Sequence, residues 1–292
     1  MLEPETVVVG GDQVRSQGLR EEFLQCDGLT VGELIGRGGQ RVVYAAEYHE
    51  QPCALKVSLA TERERIEREI ALAKNFDHPC LVRILVDDPW EIEVDGMAML
   101  AFVEDLVDGE TLVVPATPQG SCAVLELCED LWSALEHLAG RNVVHRDLSP
   151  KNVMRRRSDD RPRYVLLDVG IARHLDLVGI TSTHLTGPGT ARYAAPEQFD
   201  ASRSKQVDWR TDLFALGVLA YEQLTTSLPY DDGAENAHAA WLERGGVPED
   251  APIAEPWKSF LNHLLHRRQF GRPRQDNMRD LLTSLRRNLS CS

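Results

Sequence analysis

The segment VVHRDLSPKNV, residues 143–153, decides how this chain is read. Apolar residues bracket a dense polar centre made of His145, Arg146, Asp147, Lys151 and Asn152. A solvated loop has no need of apolar bookends, and a buried strand could not hold so many charges without partners. The segment therefore reads as a charged loop pinned by its ends into a core, with Asp147 and Asn152 as the groups that carry chemistry. His145 reads as packing.

Upstream, residues 1–28 lack sustained periodicity and read as an N-terminal extension with a short strand at Thr6–Val9. From Leu29 to Leu59, alternating and β-branched runs are split by glycines and by HEQP, the pattern of antiparallel strands. TERERIEREIALAKNF, 61–76, is predicted as a helix, with Thr61 and Glu64 as a capping box and Ile66, Ile70 and Ala73 as its apolar stripe. LVRILV (81–86), MAMLAFV (97–103) and YVLLD (164–168) are predicted strands. Helical spacing dominates after VVPATPQG. CAVLELCEDLWSALEHLAG (122–140) stops at a glycine, and TDLFALGVLAYEQLTT (211–226) is apolar almost all round, as a buried central helix would be. EPWKSFLNHLLHRR and NMRDLLTSLRRNL close the chain as amphipathic helices. The order predicts an α+β protein: a small β-rich lobe with one main helix, then a larger helical lobe.

The 292 residues carry a formal charge of -14, which argues against a nucleic-acid partner because most of the surface would repel phosphate. No run of about eighteen apolar residues is present, so no membrane span is expected, and the acidic N-terminus does not resemble a secretory signal. Cysteines at 26, 53, 80, 122, 128 and 291 form no CxxC pair and read as free thiols in a reducing cytoplasm.

Further groups stand out. GRGGQRVVY, 36–44, lies between two predicted strands, where glycines let backbone amides approach phosphate oxygens; a plain glycine-rich turn has the same appearance. Lys56 in CALKV has apolar neighbours on both sides and must reach a solvent edge or an anion. Glu69 lies beside the apolar stripe of its helix, but at about 100° per residue Glu62 falls on nearly the same face. Asp168 ends a buried strand and offers hard oxygens suited to a divalent cation. RRRSDDRPR, 155–163, is a basic hairpin that reads as a solvated turn or a dock for an acidic substrate.

Taken in order, GRGGQRVVY, CALKV, EREI with HP at 78–79, HRDLSPKN, LLDVG, GTARYAAPE, DLFALG and RP at 272–273 resemble the eukaryotic-type (Hanks-type) protein kinase family, including its bacterial Ser/Thr members. The resemblance covers about residues 29–287. It implies a bilobal kinase domain, with an N-lobe at about 29–104, a C-lobe at about 109–287 and a tail at 288–292. It implies ATP with Mg²⁺ or Mn²⁺, and a protein substrate phosphorylated on Ser or Thr. Gly36, Gly38, Val43, Ala54, Lys56 and Met154 would bind the nucleotide. Lys56 would pair with Glu69, which the spacing to His78 selects over Glu62. Asp147 would take the proton of the acceptor hydroxyl, and Asn152 and Asp168 would hold the metal. Glu197 with Arg272, and Asp212, would be structural. Thr181, Ser182, Thr183 and Thr186 would be sites of activating phosphorylation, with Arg146 as the partner of the phosphate. A pseudokinase binding module, or a kinase-like phosphotransferase with another acceptor, are the competing readings.

The chain departs from the family pattern at several places. Arg41 replaces the third loop glycine; it follows the turn and is expected to point to solvent. Val169 follows Asp168 where phenylalanine is usual, and with Ala73 it underfills the column that ties helix to metal site. Ser149 stands where Ser/Thr kinases place a lysine; Lys151, two residues later, has the spacing of the arginine in tyrosine-kinase loops and is expected to supply that charge from the other side, while Thr190 in GTARY favours Ser/Thr over Tyr as the acceptor type. Either Val103 or Glu104 occupies the back of the nucleotide pocket; a carboxylate there needs a partner or a raised pKa.

Overall fold

The computed structural model describes residues 6–9, 12–15, 26–37, 41–94, 96–158, 161–168, 173–174, 191–199, 207–230 and 237–291. The chain forms two compact units, one comprising Met1–Val107 with Asp168–Gly170, the other Asp108–Leu167 with Ile171–Ser292.

In the first unit, strands β1 (Thr6–Val9) and β2 (Asp12–Arg15) pair as an antiparallel hairpin. A five-stranded antiparallel sheet follows, built from β3 (Leu29–Arg37), β4 (Arg41–Tyr48), β5 (Gln51–Leu59), β6 (Trp90–Val94) and β7 (Met97–Asp105), in the order β3-β4-β5-β7-β6. Its register sorts side chains by face. Val42, Tyr44 and Ala46 align with Val57, Leu55 and Cys53, which align in turn with residues at 101, 103 and 105. These apolar residues form one buried core with Met99, Ala101 and Val103. Each large side chain fully buried this way contributes about 1.5–3 kcal/mol. The opposite face carries Arg41, Val43, Ala54, Lys56, Phe102 and Glu104, because strand side chains alternate.

Helix α1 (Arg63–Ala73) buries Ile66, Glu69, Ile70 and Ala73, the stripe read from sequence. The expected capping box is absent. A 3₁₀ turn at Ala60–Glu62 precedes the helix, its N-cap is Glu62, and no side chain caps it. Thr61 therefore lies inside that turn, one residue too early to cap. Residues 81–86, expected as a strand, make backbone bonds from Leu85 N to Val103 O and from Asp105 N to Arg83 O around a bridge between Ile84 and Glu104, with no longer ladder.

The second unit is mainly helical. Strand β8 (Gly109–Thr111) precedes α2 (Ser121–Ala139), which buries Val124, Leu125, Leu127, Leu131 and Leu138 along one face. Short strands β9 (Val143–Val144), β10 (Val153–Arg156), β11 (Tyr164–Leu166) and β12 (Arg173–His174) frame the charged loop. They form two small sheets, β11-β10-β8 and β12-β9. After the single turn α3 (Pro196–Phe199) comes α4 (Arg210–Thr225), buried at nearly every position. A methyl group at Gly217 would lie 2.9 Å from side-chain atoms of Leu264 and Leu265, so α4 packs too closely for a larger residue there. α5 (Ala237–Arg244), α6 (Trp257–Leu264) and α7 (Gln275–Leu289) complete the unit. Among the described residues no helix is long and apolar enough to cross a membrane.

One expectation is corrected. Cys122, near the start of α2, and Cys291, just past α7, form a disulfide with Cα atoms 5.6 Å apart; Cys26, Cys53, Cys80 and Cys128 are free. The sequence offered no hint of this pair, because 169 residues separate two cysteines that only helix packing brings together. Alkylation of the denatured, unreduced protein is expected to label the four free thiols and spare Cys122 and Cys291. Cys291→Ser is expected to lower stability in urea by about 2–4 kcal/mol, since the bond restricts a long loop in the unfolded chain.

Candidate active site

The charged loop of the second unit is held by its backbone. Asp212, in the first turn of α4 and buried, accepts the amides of His145 and Arg146, each at 2.8 Å. Burial raises the Asp212 pKa, against the pull of His145 and of these two amides. Arg146 adopts φ +70°, a left-handed conformation that costs a non-glycine residue energy, and the bond to Asp212 holds it there. Gln198 adds a second tie by donating to the Arg146 carbonyl at 3.0 Å while its own oxygen accepts the Ala195 amide. His145 is fully buried. Its Nδ1 accepts the Asp147 amide at 3.3 Å, so its proton sits on Nε2, which donates to the Leu167 carbonyl at 3.0 Å. The ring serves as a bracket between two stretches of backbone.

These ties aim Asp147. Asn152 Nδ2 donates to the Asp147 carbonyl at 2.7 Å and to its Oδ2 at 2.9 Å, and Lys151 Nζ stands 3.3 Å from the same Oδ2. Oδ1 of Asp147 is buried and has no hydrogen-bond partner among the described residues. A carboxylate oxygen kept dry and unpaired in this way can accept a proton from an incoming donor. Ser149 is buried and its hydroxyl also lacks a partner among the described residues, while Lys151 is mostly exposed. The positive charge beside Asp147 thus comes from position 151, two residues after the usual place.

Glu197 and Arg272 form a buried bidentate pair, with NH1 2.6 Å from Oε1 and NH2 3.0 Å from Oε2. Thr211 donates to the same carboxylate at 2.9 Å, and Arg272 stacks over Phe214 at 4.8 Å. In the 155–163 hairpin, Arg157 pairs with Asp108, Arg161 with Glu126 and Glu129, and Arg163 with Glu126. Much of its basic charge is therefore spent within the chain. Met154 lies on β10, paired with Thr111 of β8.

The first unit brings together a separate charged cluster. Lys56 Nζ is 2.8 Å from Glu104 Oε2 and 3.7 Å from Glu69 Oε1. Arg41, expected in solvent, turns inward. It grips Glu69 at 3.1 and 2.9 Å with both terminal nitrogens, lies 3.7 Å from Asp168, and donates from Nε to Ser58 at 3.3 Å. The correction follows from alternation: Arg41 stands two residues before Val43 and opposite Ser58, so it shares the face of Lys56. The register also places Glu104 on that face and Val103 in the opposite core. Burial pushes the Glu104 pKa up, with Lys56 as the opposing influence. Burial disfavours the Lys56 ammonium, but Glu104, Glu69 and Asp168 outweigh it and raise its pKa. Gly36, Val43 and Ala54 lie on β3, β4 and β5 of the same sheet, with Gly36 opposite Val43. Gly38, Val169, Thr181, Ser182, Thr183 and Thr186 lie outside the described residues.

The family model of the protein kinase domain matches residues 29–282. Relatives include serine/threonine-protein kinase Pkn1 of Myxococcus xanthus, 30% identical over 86% of this chain and 36% of its own length. Pkn3 of the same organism is 33% identical over 83% and 47%, and PknB of Mycolicibacterium smegmatis 31% over 70% and 33%. The chain spans about a third to a half of the length of these three relatives. Arg272→Ala is expected to cost about 3–5 kcal/mol in chemical unfolding, because it strands the buried Glu197 carboxylate.

Proposed function

The chain belongs to the protein kinase family, and from that premise we propose that it transfers the γ-phosphoryl group of ATP to serine or threonine hydroxyls of protein substrates. The observation that carries the reading is Asp147: one oxygen fixed by Asn152, the other buried and unpaired among the described residues. Such an atom suits the acceptor hydroxyl, whose proton Asp147 would take as the oxygen attacks. Lys151 beside it would hold negative charge near the reacting centre.

The residues present fit a magnesium nucleotide. Asn152 directs its amide nitrogen at Asp147, which leaves its carbonyl oxygen for a cation, and Asp168 supplies a carboxylate. Lys56 is a buried cation that would hold phosphate oxygens, and by the family pattern Gly36, Gly38, Val43, Ala54 and Met154 would bind the rest of the nucleotide. Bound ATP would supply the phosphoryl group, and Mg²⁺ or Mn²⁺ would offset its charge. Autophosphorylation on Thr181, Ser182, Thr183 or Thr186 belongs to the same proposal, with Arg146 as phosphate partner.

Incubation with radiolabelled ATP and Mg²⁺ or Mn²⁺ tests this. Asp147→Asn is expected to lower transfer by about 10²–10⁴-fold with the fold intact, and chelation of the metal to abolish it. Phosphosite mass spectrometry should find label on Ser and Thr. Transfer at background level in both wild type and Asp147→Asn would leave a binding module as the better reading, and equal transfer above background would overturn the role of Asp147.

A further inference from the structure

The cluster on the inner face of the first unit assigns its ion pairs unequally. Glu69 offers two oxygens, and Arg41 takes both through a forked guanidinium at 3.1 and 2.9 Å. Lys56 stands 3.7 Å from the nearer one, beyond ordinary hydrogen-bond length, while it meets Glu104 at 2.8 Å. Bidentate guanidinium–carboxylate contacts are the stronger and more rigid kind. Phe102 supports both cations, its ring centre 5.4 Å from Arg41 Cζ and 5.7 Å from Lys56 Nζ. Arg41 is only 13% exposed, Glu69 1% and Glu104 6%, so water cannot screen these contacts. A carboxylate at position 104 would be costly without a cation, and Lys56 is that cation.

We propose that Arg41 is a positioning residue for the reaction, holding Glu69 and helix α1 against the sheet, while Glu104 is the resting partner that Lys56 exchanges for nucleotide phosphate. The proposal rests on the kinase reading, and only the pairing of Arg41 with Glu69 stands without it. Arg41 keeps Glu69 neutralised throughout, so the one charge Lys56 leaves behind is that of Glu104, whose buried carboxyl is already pushed toward its neutral, protonated form. Arg41 also reaches toward Asp168, at 3.7 Å, and so links α1 to the metal-holding carboxylate. Ala73, one turn after Glu69 on α1, is where the family pattern places a larger residue. A salt bridge thus does in part what side-chain bulk would do.

Two measurements test it. The first needs no activity: double-mutant cycles in urea unfolding. Arg41→Gln with Glu69→Gln is expected to show coupling of about tenfold or more in the folding equilibrium, and Lys56→Met with Glu69→Gln several-fold less. The reverse order overturns the pairing, whether or not the protein transfers phosphate. The second is steady-state kinetics. Arg41→Gln, and Arg41→Gly with the family's residue, are expected to lower kcat by about 10–100-fold with little change in the KM for ATP. Arg41→Lys should recover part of the loss. Glu104→Gln is expected to lower that KM by about threefold or more, because Lys56 no longer has an anion to leave. Wild-type kcat in Arg41→Gly, or a raised KM in Glu104→Gln, overturns the proposal. Absence of transfer by the wild type would overturn the kinase reading and leave the unfolding cycles to decide the pairing.

Discussion

A charge taken out of water must find its counterpart inside the protein, and both units of this chain are arranged around that constraint. In the second unit the buried Asp212 carboxylate takes two backbone amides and so fixes the loop that carries Asp147. Arg272 does the same for Glu197. In the first unit Arg41, Lys56, Glu69 and Glu104 neutralise one another on one face of a sheet. Each pair has little value as net stability, since burial costs nearly what attraction returns. Its value is in position: the groups can sit in few other places.

The same constraint explains which departures from the family pattern the fold tolerates. An arginine for a loop glycine and a glutamate at the back of the sheet look like separate anomalies in sequence. In the structure they are complementary, one cation and one anion added to the same buried set. Neither would be favourable alone. Ser149 and Lys151 form a comparable exchange in the other unit: the lysine is displaced by two residues, and its charge still reaches Asp147 at 3.3 Å.

Much of the fold was legible because it depends on local periodicity. The stripe of Ile66, Ile70 and Ala73 gives α1, the glycine at 140 ends α2, and the near-continuous apolar run 211–226 gives a buried α4. Helix entry was less legible. Thr61 and Glu64 have the spacing of a capping box, yet the chain enters α1 through a 3₁₀ turn that follows directly from β5. Arg41 was misplaced for an avoidable reason: loop context suggested solvent, although the two-residue period from Val43 already put it on the face of Lys56. Gln198 and Thr211 were missed because side chains that brace other groups carry no pattern of their own.

The sequence by itself determined the order of strands and helices, the motif set that marks a protein kinase, and the loop on which Asp147 and Asn152 stand. Those depend on residue type and spacing along the chain. Tertiary structure alone decided the partners: Arg41 on Glu69, Lys56 nearer Glu104 than Glu69, and Cys122 bonded to Cys291 across 169 residues. The physical reason is that ion pairs and disulfides act over a few ångströms of space, and many arrangements of the same charges share one sequence. Only the strand register and helix packing select which of them are close.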